Sequence, residues 1–388
     1  MALFRQKMLW IGLVRIVVVM MVLGLAMMGS VLGAKPKDLP VALVVEDKAV
    51  TLPDGSMLNI GAMVKEKLLA NTALPFVWHE VATEADARAG LDQQDYYGAF
   101  IIPADLSKGI ASFMTEVPKP ATVKVIGNEG MNTQAATAVK QVLGQVSRML
   151  SAELTGQLLS QVEAESPVIP ISAAKAIMSP FMVVEETVHP VGLNNASGSA
   201  PGMLTQIMWI GSLVISVILA LSAQKVKSSG VRRMGVYAMQ LVMGAIFVVL
   251  VSGYLVWMAH DWYGMAIVDQ ATTWVALLSG IAFFAIQSML LNWLGLPAVP
   301  ILILLMFFSL PVMNIAPEFL PQTTQDWLYS WTPFRFAAAS LRNAMYYDEV
   351  SVTSSNTVVL WLMVGIGAVL LLLSALKPQR ARGQGSAV

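Results

Sequence analysis

Five stretches free of Asp, Glu, Lys and Arg constrain this 388-residue chain more than any motif in it. They run from Ile16 to Ala34, Met203 to Ala223, Met234 to His260, Gln270 to Pro317 and Val350 to Leu376. A bilayer core about 30 Å thick needs about 20 apolar helical residues and tolerates few charges, so each stretch is a candidate membrane span. The fourth is long enough for two spans and is broken at Gly295-Leu296-Pro297, a turn-forming group that a helix rarely crosses. It therefore reads as a helical hairpin. Arg5, Lys7 and Arg15 precede the first stretch, and Gly33-Ala34 at its end looks like a signal-peptide cleavage site. Its apolar length exceeds the roughly 7 to 15 residues of a secretory signal core, which favours an uncleaved anchor.

The expected fold is a polytopic α-helical membrane protein with six transmembrane helices. A small extracytoplasmic α/β domain with a long helix is inserted between helices 1 and 2. In this division residues 1–34 hold the N-terminus and first helix, and 35–200 the exterior domain with a Pro-rich linker. Residues 201–376 form five helices near 203–223, 236–258, 272–294, 298–316 and 357–376, and 377–388 form a tail. Composition agrees. The apolar share is 56% and the charged share 12%, against about 45–50% and about 25% for soluble domains. Zero net charge removes the basic field of a nucleic-acid binder, and zero Cys removes disulfides and thiolate chemistry.

Orientation follows from the short loops. With both termini in the cytoplasm, residues 1–15, 224–235 and 377–388 carry Arg5, Lys7, Arg15, Lys225, Lys227, Arg232, Arg233, Lys377, Arg380 and Arg382 and no acidic residue. That is the positive-inside pattern, and it leaves residues 35–200 extracytoplasmic.

Within 35–200, Val41–Glu46, Phe76–Val81, Tyr97–Ile102 and Thr122–Gly127 read as strands, and Gly61–Ala70 and Thr83–Leu91 as helices. Such alternation indicates an α/β layer. A long helix from about Asn132 to Ala164 carries Ala135, Val139, Val142, Val146 and Met149 as an apolar stripe, expected to pack on the sheet. Ser166 to Pro201, rich in Pro, reads as a linker back to the membrane. The last exterior stretch, Glu318 to Asn356, is expected to lie at the outer interface, with a helix from about Pro333 to Tyr346. Its candidate residues are Trp331, Pro333, Phe334, Arg335 and Arg342, the two arginines on one helical face.

Catalytic signatures are absent. There is no Gly-Lys dipeptide for a phosphate loop and no His-Glu-x-x-His, Gly-x-Ser-x-Gly or Gly-x-Gly-x-x-Gly, so neither an enzyme nor a cofactor is expected. His79, His189 and His260 are scattered, and no metal site is expected. The spans are devoid of the ionisable groups that proton relays use, leaving Gln240, Gln287, Asn292 and Asn314 as their strongest polar side chains. Proton-driven transport is thereby disfavoured. Ser212, Ser216 and Ala220 form a small-residue stripe suited to a close helix contact, either between subunits or, by preference, within one.

Past the first stretch stand Val41-Ala42-Leu43-Val44-Val45-Glu46-Asp47 with Gly61, and then Tyr96-Tyr97-Gly98-Ala99-Phe100-Ile101-Ile102-Pro103-Ala104-Asp105-Leu106-Ser107. Val188-His189-Pro190 through Met208-Trp209-Ile210-Gly211 follow, and then Pro317-Glu318-Phe319-Leu320-Pro321 with Trp331-Thr332-Pro333-Phe334 to Leu341-Arg342. In these residues and their order the chain resembles the phage infection protein (YhgE/Pip) family within the type-2 ABC exporter permeases. The resemblance implies a dimeric permease in a bacterial plasma membrane that works with a separate ATPase subunit and exports hydrophobic or envelope-related compounds. It also implies an ATPase-coupling region, here Lys225, Lys227, Arg232 and Arg233 with the start from Phe4 to Trp10. The alternative is a non-transporting surface receptor or secretion scaffold. Its partners otherwise are membrane lipids and no nucleic acid.

Overall fold

The computed structural model describes residues 17–18, 20–21, 24, 34–52, 55–114, 118–165, 171–227, 233–267, 269–347 and 354–377. The chain forms two compact units, one of residues 33–191 with 315–321, the other of 1–32, 192–314 and 322–388. The expected first span, Ile16–Ala34, lies almost wholly outside the described residues.

The first unit is a three-layer α/β domain. Its elements are β1 (Leu39–Val45), α1 (Ile60–Ala70), β2 (Phe76–Val81), α2 (Glu84–Asp92), β3 (Gly98–Ile102), α3 (Leu106–Ala111), β4 (Ala121–Asn128), α4 (Thr133–Glu165), α5 (Ile171–Met178) and β5 (Phe181–Val188). The sheet order is β2-β1-β3-β4-β5. Strands β2, β1 and β3 run parallel, β4 runs antiparallel to β3, and β5 parallel to β4. A strand covered on both faces needs no polar alternation, and β1 shows why. Leu39, Val41 and Leu43 join a core with α1, α3 and α4, while Ala42 and Val44 join a second core with Ala87 and Leu91 of α2.

Helix α4 packs on the sheet, but its buried stripe is Ala135, Val139, Leu143, Val146, Leu150 and Leu154. Met149, expected on that stripe, is exposed. A straight helix drifts relative to a 3.5-residue repeat, so a heptad count has walked off the true face by Met149, about four turns after Ala135. The expected linker from Ser166 to Pro201 is corrected more substantially, since it contains α5 and β5. Pro180 and Pro190 frame Phe181-Met182-Val183-Val184-Glu185-Glu186-Thr187-Val188, so the prolines border a β-branched strand instead of marking irregular chain.

Asp47 fastens two helix starts. Its carboxylate accepts hydrogen bonds from Gly61 N (2.8 Å), Ser107 N (2.8 Å) and Ser107 Oγ (2.5 Å), while Ser107 Oγ accepts from Ile60 N (2.8 Å). The first turns of α1 and α3 hold N–H groups without intrahelical partners, and a carboxylate suits both their geometry and their dipoles. A Cβ at Gly61 would collide with the Asp47 side chain. The sequence signature of Asp47, Gly61 and Ser107 is thus one structural knot.

A second tie joins α2, β4 and β5. Arg88 donates two hydrogen bonds to Glu186, Nη1 to Oε1 at 2.8 Å and Nη2 to Oε2 at 2.7 Å, and also bonds Glu84, which accepts from Lys124 Nζ at 2.8 Å. The Arg88 hydrogen bonds hold the Glu186 carboxyl below its ordinary range. Partial burial pushes Glu84 upward, but Lys124 and Arg88 outweigh it and the net shift is downward.

Segment 315–321 also belongs to this unit. Ala316 and Phe319 pack into the core cluster, and Tyr97 Oη donates to Glu318 Oε2 at 2.6 Å.

The second unit is helical, with α6 (Ala200–Lys227), α7 (Arg233–Trp257), α8 (Asp269–Leu294), α9 (Ala298–Met313), α10 (Pro333–Tyr346) and α11 (Ser355–Leu373). Among the described residues four helices are long and apolar enough to cross a membrane: α6, α7 with its extension to Trp262, α8, and α11 with its extension to Leu376. Of the six expected spans, four are thus present among the described residues. The expected helix 298–316 is the 16-residue α9, about 24 Å long at 1.5 Å per residue and short of a bilayer core. Gly295, at φ +77°, makes the expected turn between α8 and α9.

Replacing Asp47 by Ala orphans the donors at two helix starts. The expected cost is roughly 2–3 kcal/mol, seen as faster hydrogen exchange confined to the first turns of α1 and α3. Glu84 and Glu186 have depressed pKa values when folded, so their contribution is present above the unfolded value near 4.3 and lost as pH falls through the folded values. The thermal midpoint of the full chain should fall on acidification below about pH 4, and less steeply in Glu186→Gln.

Candidate functional site

The helical unit turns its apolar side chains outward. On α7, Met239, Val242, Ile246, Val249 and Leu250 are exposed, and on α11 Val358, Trp361, Leu362, Ile366 and Val369. Exposed apolar faces of this extent suit a lipid surrounding. The interior holds neutral polar groups: Ser212, Ser216, Gln240, Ser252, Ser279, Gln287, Ser288 and Ser309 are all buried.

Helix α8 is the hub. The stripe of Ser212, Ser216 and Ala220 on α6 faces it, with Ser212 Oγ donating to Gly280 O (3.2 Å) and Ser288 Oγ to Ser216 Oγ (3.0 Å). Gln287 Nε2 donates to Trp209 O at 3.1 Å, and Asn292 Nδ2 to Gln240 Oε1 at 3.3 Å. Such bonds require close backbones. At Gly280 a Cβ would come within 2.7 Å of Ser252 Oγ, and at Gly367 within 2.8 Å of the Ala285 backbone. At Gly244 a Cβ would enter the Phe284 ring. The sequence singled out Gln240, Gln287 and Asn292 as polar, but the glycines that admit their helices gave no distinguishing local signal.

The aromatic segment around Trp327 to Tyr346 is no simple surface anchor. Helix α10 buries Phe334, Ala337, Ala338, Leu341, Ala344 and Met345. Phe334 stacks at 4.5 Å on Trp209 of α6 and lies 5.7 Å from Phe283 of α8. Pro333 opens the helix, where its missing N–H costs nothing. Arg342 Nη2 donates to Met313 O at 3.4 Å, against the C-terminal end of α9. Arg335 lies over the Tyr329 and Phe336 rings at 4.8 and 4.3 Å. Trp331 and Trp327 stay exposed, as an interfacial aromatic does. Pattern alone marks Phe334 as apolar, and only tertiary packing shows that protein covers it.

At the opposite end of the unit, the expected coupling residues divide. Lys225 stands exposed on the last turn of α6 and Lys227 ends that helix, while Arg232 and Phe4–Trp10 lie outside the described residues. Arg233 Nη1 donates to Lys377 O (2.9 Å), Lys377 Nζ to Trp293 O (2.5 Å), and Trp293 Nε1 to Leu370 O (2.9 Å). Two cations thus hold carbonyls at the C-terminal ends of α8 and of the α11 extension, the ends at which helix dipoles favour positive charge. The sequence offered no sign that Lys377 would be the partner of Arg233.

A bundle with a lipid-suited exterior, a neutral hydrogen-bonded interior and a cationic end suits a membrane-embedded unit. The ABC-2 family transporter protein description matches residues 7–376. The chain belongs to this ABC-2 transporter family. Over 120 residues it is 31% identical to the uncharacterized protein YhgE of Bacillus subtilis (strain 168). That match covers 31% of this chain and spans only 15% of the relative's length. A crystallised domain assigned to an ABC type-2 transporter of Thermotoga maritima MSB8 is similar over 38% of this chain and 84% of its own, at 15% identity and a TM-score of 0.24.

Gly244→Val forces a branched side chain into Phe284 and should cost at least about 1–3 kcal/mol, read as a lower thermal midpoint of the purified chain. Gly253→Val, where nothing lies within 4 Å of the added Cβ, should leave that midpoint unchanged.

Proposed function

We propose that this chain is one half of a dimeric exporter that moves hydrophobic or envelope-related compounds out of a bacterial cell, energised by a separate ATPase. The family match over residues 7–376 carries the reading. The uncharged interior supports it, because a chain with no ionisable relay in its spans needs an engine in trans. In this reading the termini and the end bearing Lys225, Lys227, Arg232 and Arg233 face the cytoplasm, and the α/β unit lies outside as a gate or cargo-contacting lid. The basic pattern of the short loops favours that orientation.

Coupling is mechanical. ATP-driven closure of the partner pushes the basic end, and the helices rock as bodies because neutral bonds hold α6, α7 and α8 together. The Arg233–Lys377–Trp293 chain would carry that push to α8 and α11 together. The receptor or scaffold reading has no comparable observation in its favour.

Co-expression with candidate ATPases tests the reading. A stable complex and ATP-dependent export of lipophilic dyes from cells are expected, and reversing all four basic residues to Glu should lower export at least tenfold with the complex otherwise folded. Failure to bind any ATPase, together with unchanged export in a deletion strain, would refute it.

A further inference from the structure

The sheet of the α/β unit has two edges, and they are treated differently. The β2 edge carries His79 and Glu80, and Lys65 Nζ pairs with Glu80 Oε2 at 2.5 Å. Charged groups of this kind keep other strands away. The β5 edge has no such guard in its first half, where Met182, Val183 and Val184 are 55%, 39% and 44% exposed.

Successive side chains of a strand point to opposite faces. Phe181 packs in the core shared with α4, so Val183 faces α4 as well, and Met182 and Val184 face the α2 side. Both faces are therefore uncovered along the same three residues. A small molecule lodged on one face would cover one set, whereas an added strand covers both. On the α4 side a groove of about 620 Å³ runs beside the strand, lined by Ser147, Arg148, Ser151 and Thr155 of α4 with Met178 and Val183. Arg148 is exposed and makes no ion pair among the described residues. Exposed Met178 and Ile171 of α5 extend the apolar surface.

We propose that β5 is a docking edge that takes an extended segment of a partner protein as a sixth strand. The segment presents apolar side chains to Met182 and Val184, and an acidic side chain to Arg148 on the other face. Main-chain hydrogen bonds supply affinity in this mode, and the alternating side chains supply selectivity. The proposal is independent of the transport reading.

The test uses the full chain in nanodiscs and a fluorescent peptide, Val-Thr-Val-Glu-Val-Thr-Val, followed by anisotropy. Binding is expected, with at least tenfold loss when alternate peptide amides are N-methylated, and the same loss for Val184→Lys in the chain. Arg148→Glu should weaken this peptide at least tenfold and reverse the preference toward the version with Lys in place of Glu. No binding, or equal binding of the N-methylated peptide, overturns the proposal. So does displacement of the peptide by laurate alike in wild type and Val184→Lys, which marks an amphiphile site. Cross-linking of Val184→Cys between two copies that the peptide does not prevent assigns the edge to self-association and likewise overturns it.

Discussion

Among the described residues no Asp, Glu, Lys, Arg or His is buried in the helical unit, and that constraint sets the terms for everything packed around it. Without charges, cohesion at membrane depth must come from neutral hydrogen bonds and close van der Waals contact, and both require helix axes to approach. Ser212, Ser216 and Ser288 supply the bonds, and Gly244, Gly280 and Gly367 supply the room. Helix α8 is where these requirements converge, so its neighbours α6, α7 and α11 are placed by its small and polar positions more than by their own apolar faces. Charge is confined to the ends, where Arg233 and Lys377 bond helix carbonyls and Arg342 meets the last turn of α9.

Much of this was legible from patterns of short range. Apolar length locates α6, α7, α8 and α11, since a spanning helix must satisfy its backbone internally and hide few charges. Alternating β-branched runs and capped helices locate β1 through β4 with α1 and α2, because each element carries its own period. The linker reading failed at β5 because proline is both a breaker of structure and a common neighbour of edge strands. Helix α10 was placed correctly along the chain, but its environment was not legible. An aromatic helix reads alike whether Phe334 meets acyl chains or the Trp209 ring.

The candidate site was legible in part. Gln240, Gln287 and Asn292 stand out in an apolar stretch, so their presence in the interior network follows from cost alone. Asp47, Gly61 and Ser107 could be seen as a signature but not understood as one. Their relation is a meeting of two helix starts, with 45 residues between Gly61 and Ser107, and no local rule brings those turns together. Arg233 was visible as a cation, and its bond to the Lys377 carbonyl was not, since charge patterns give the side of a membrane and not a partner.

Residues 315–321 contribute Ala316, Phe319 and Glu318 to the α/β unit although some 120 residues of helical chain separate them from Val191. During synthesis, therefore, the sheet domain waits unfinished until α9 has emerged, and its hydrophobic interior lacks a closing plug meanwhile. Maturation of the α/β unit is thereby tied to progress along the helical chain, and a polypeptide cut after Val191 would inherit a core with an open seam.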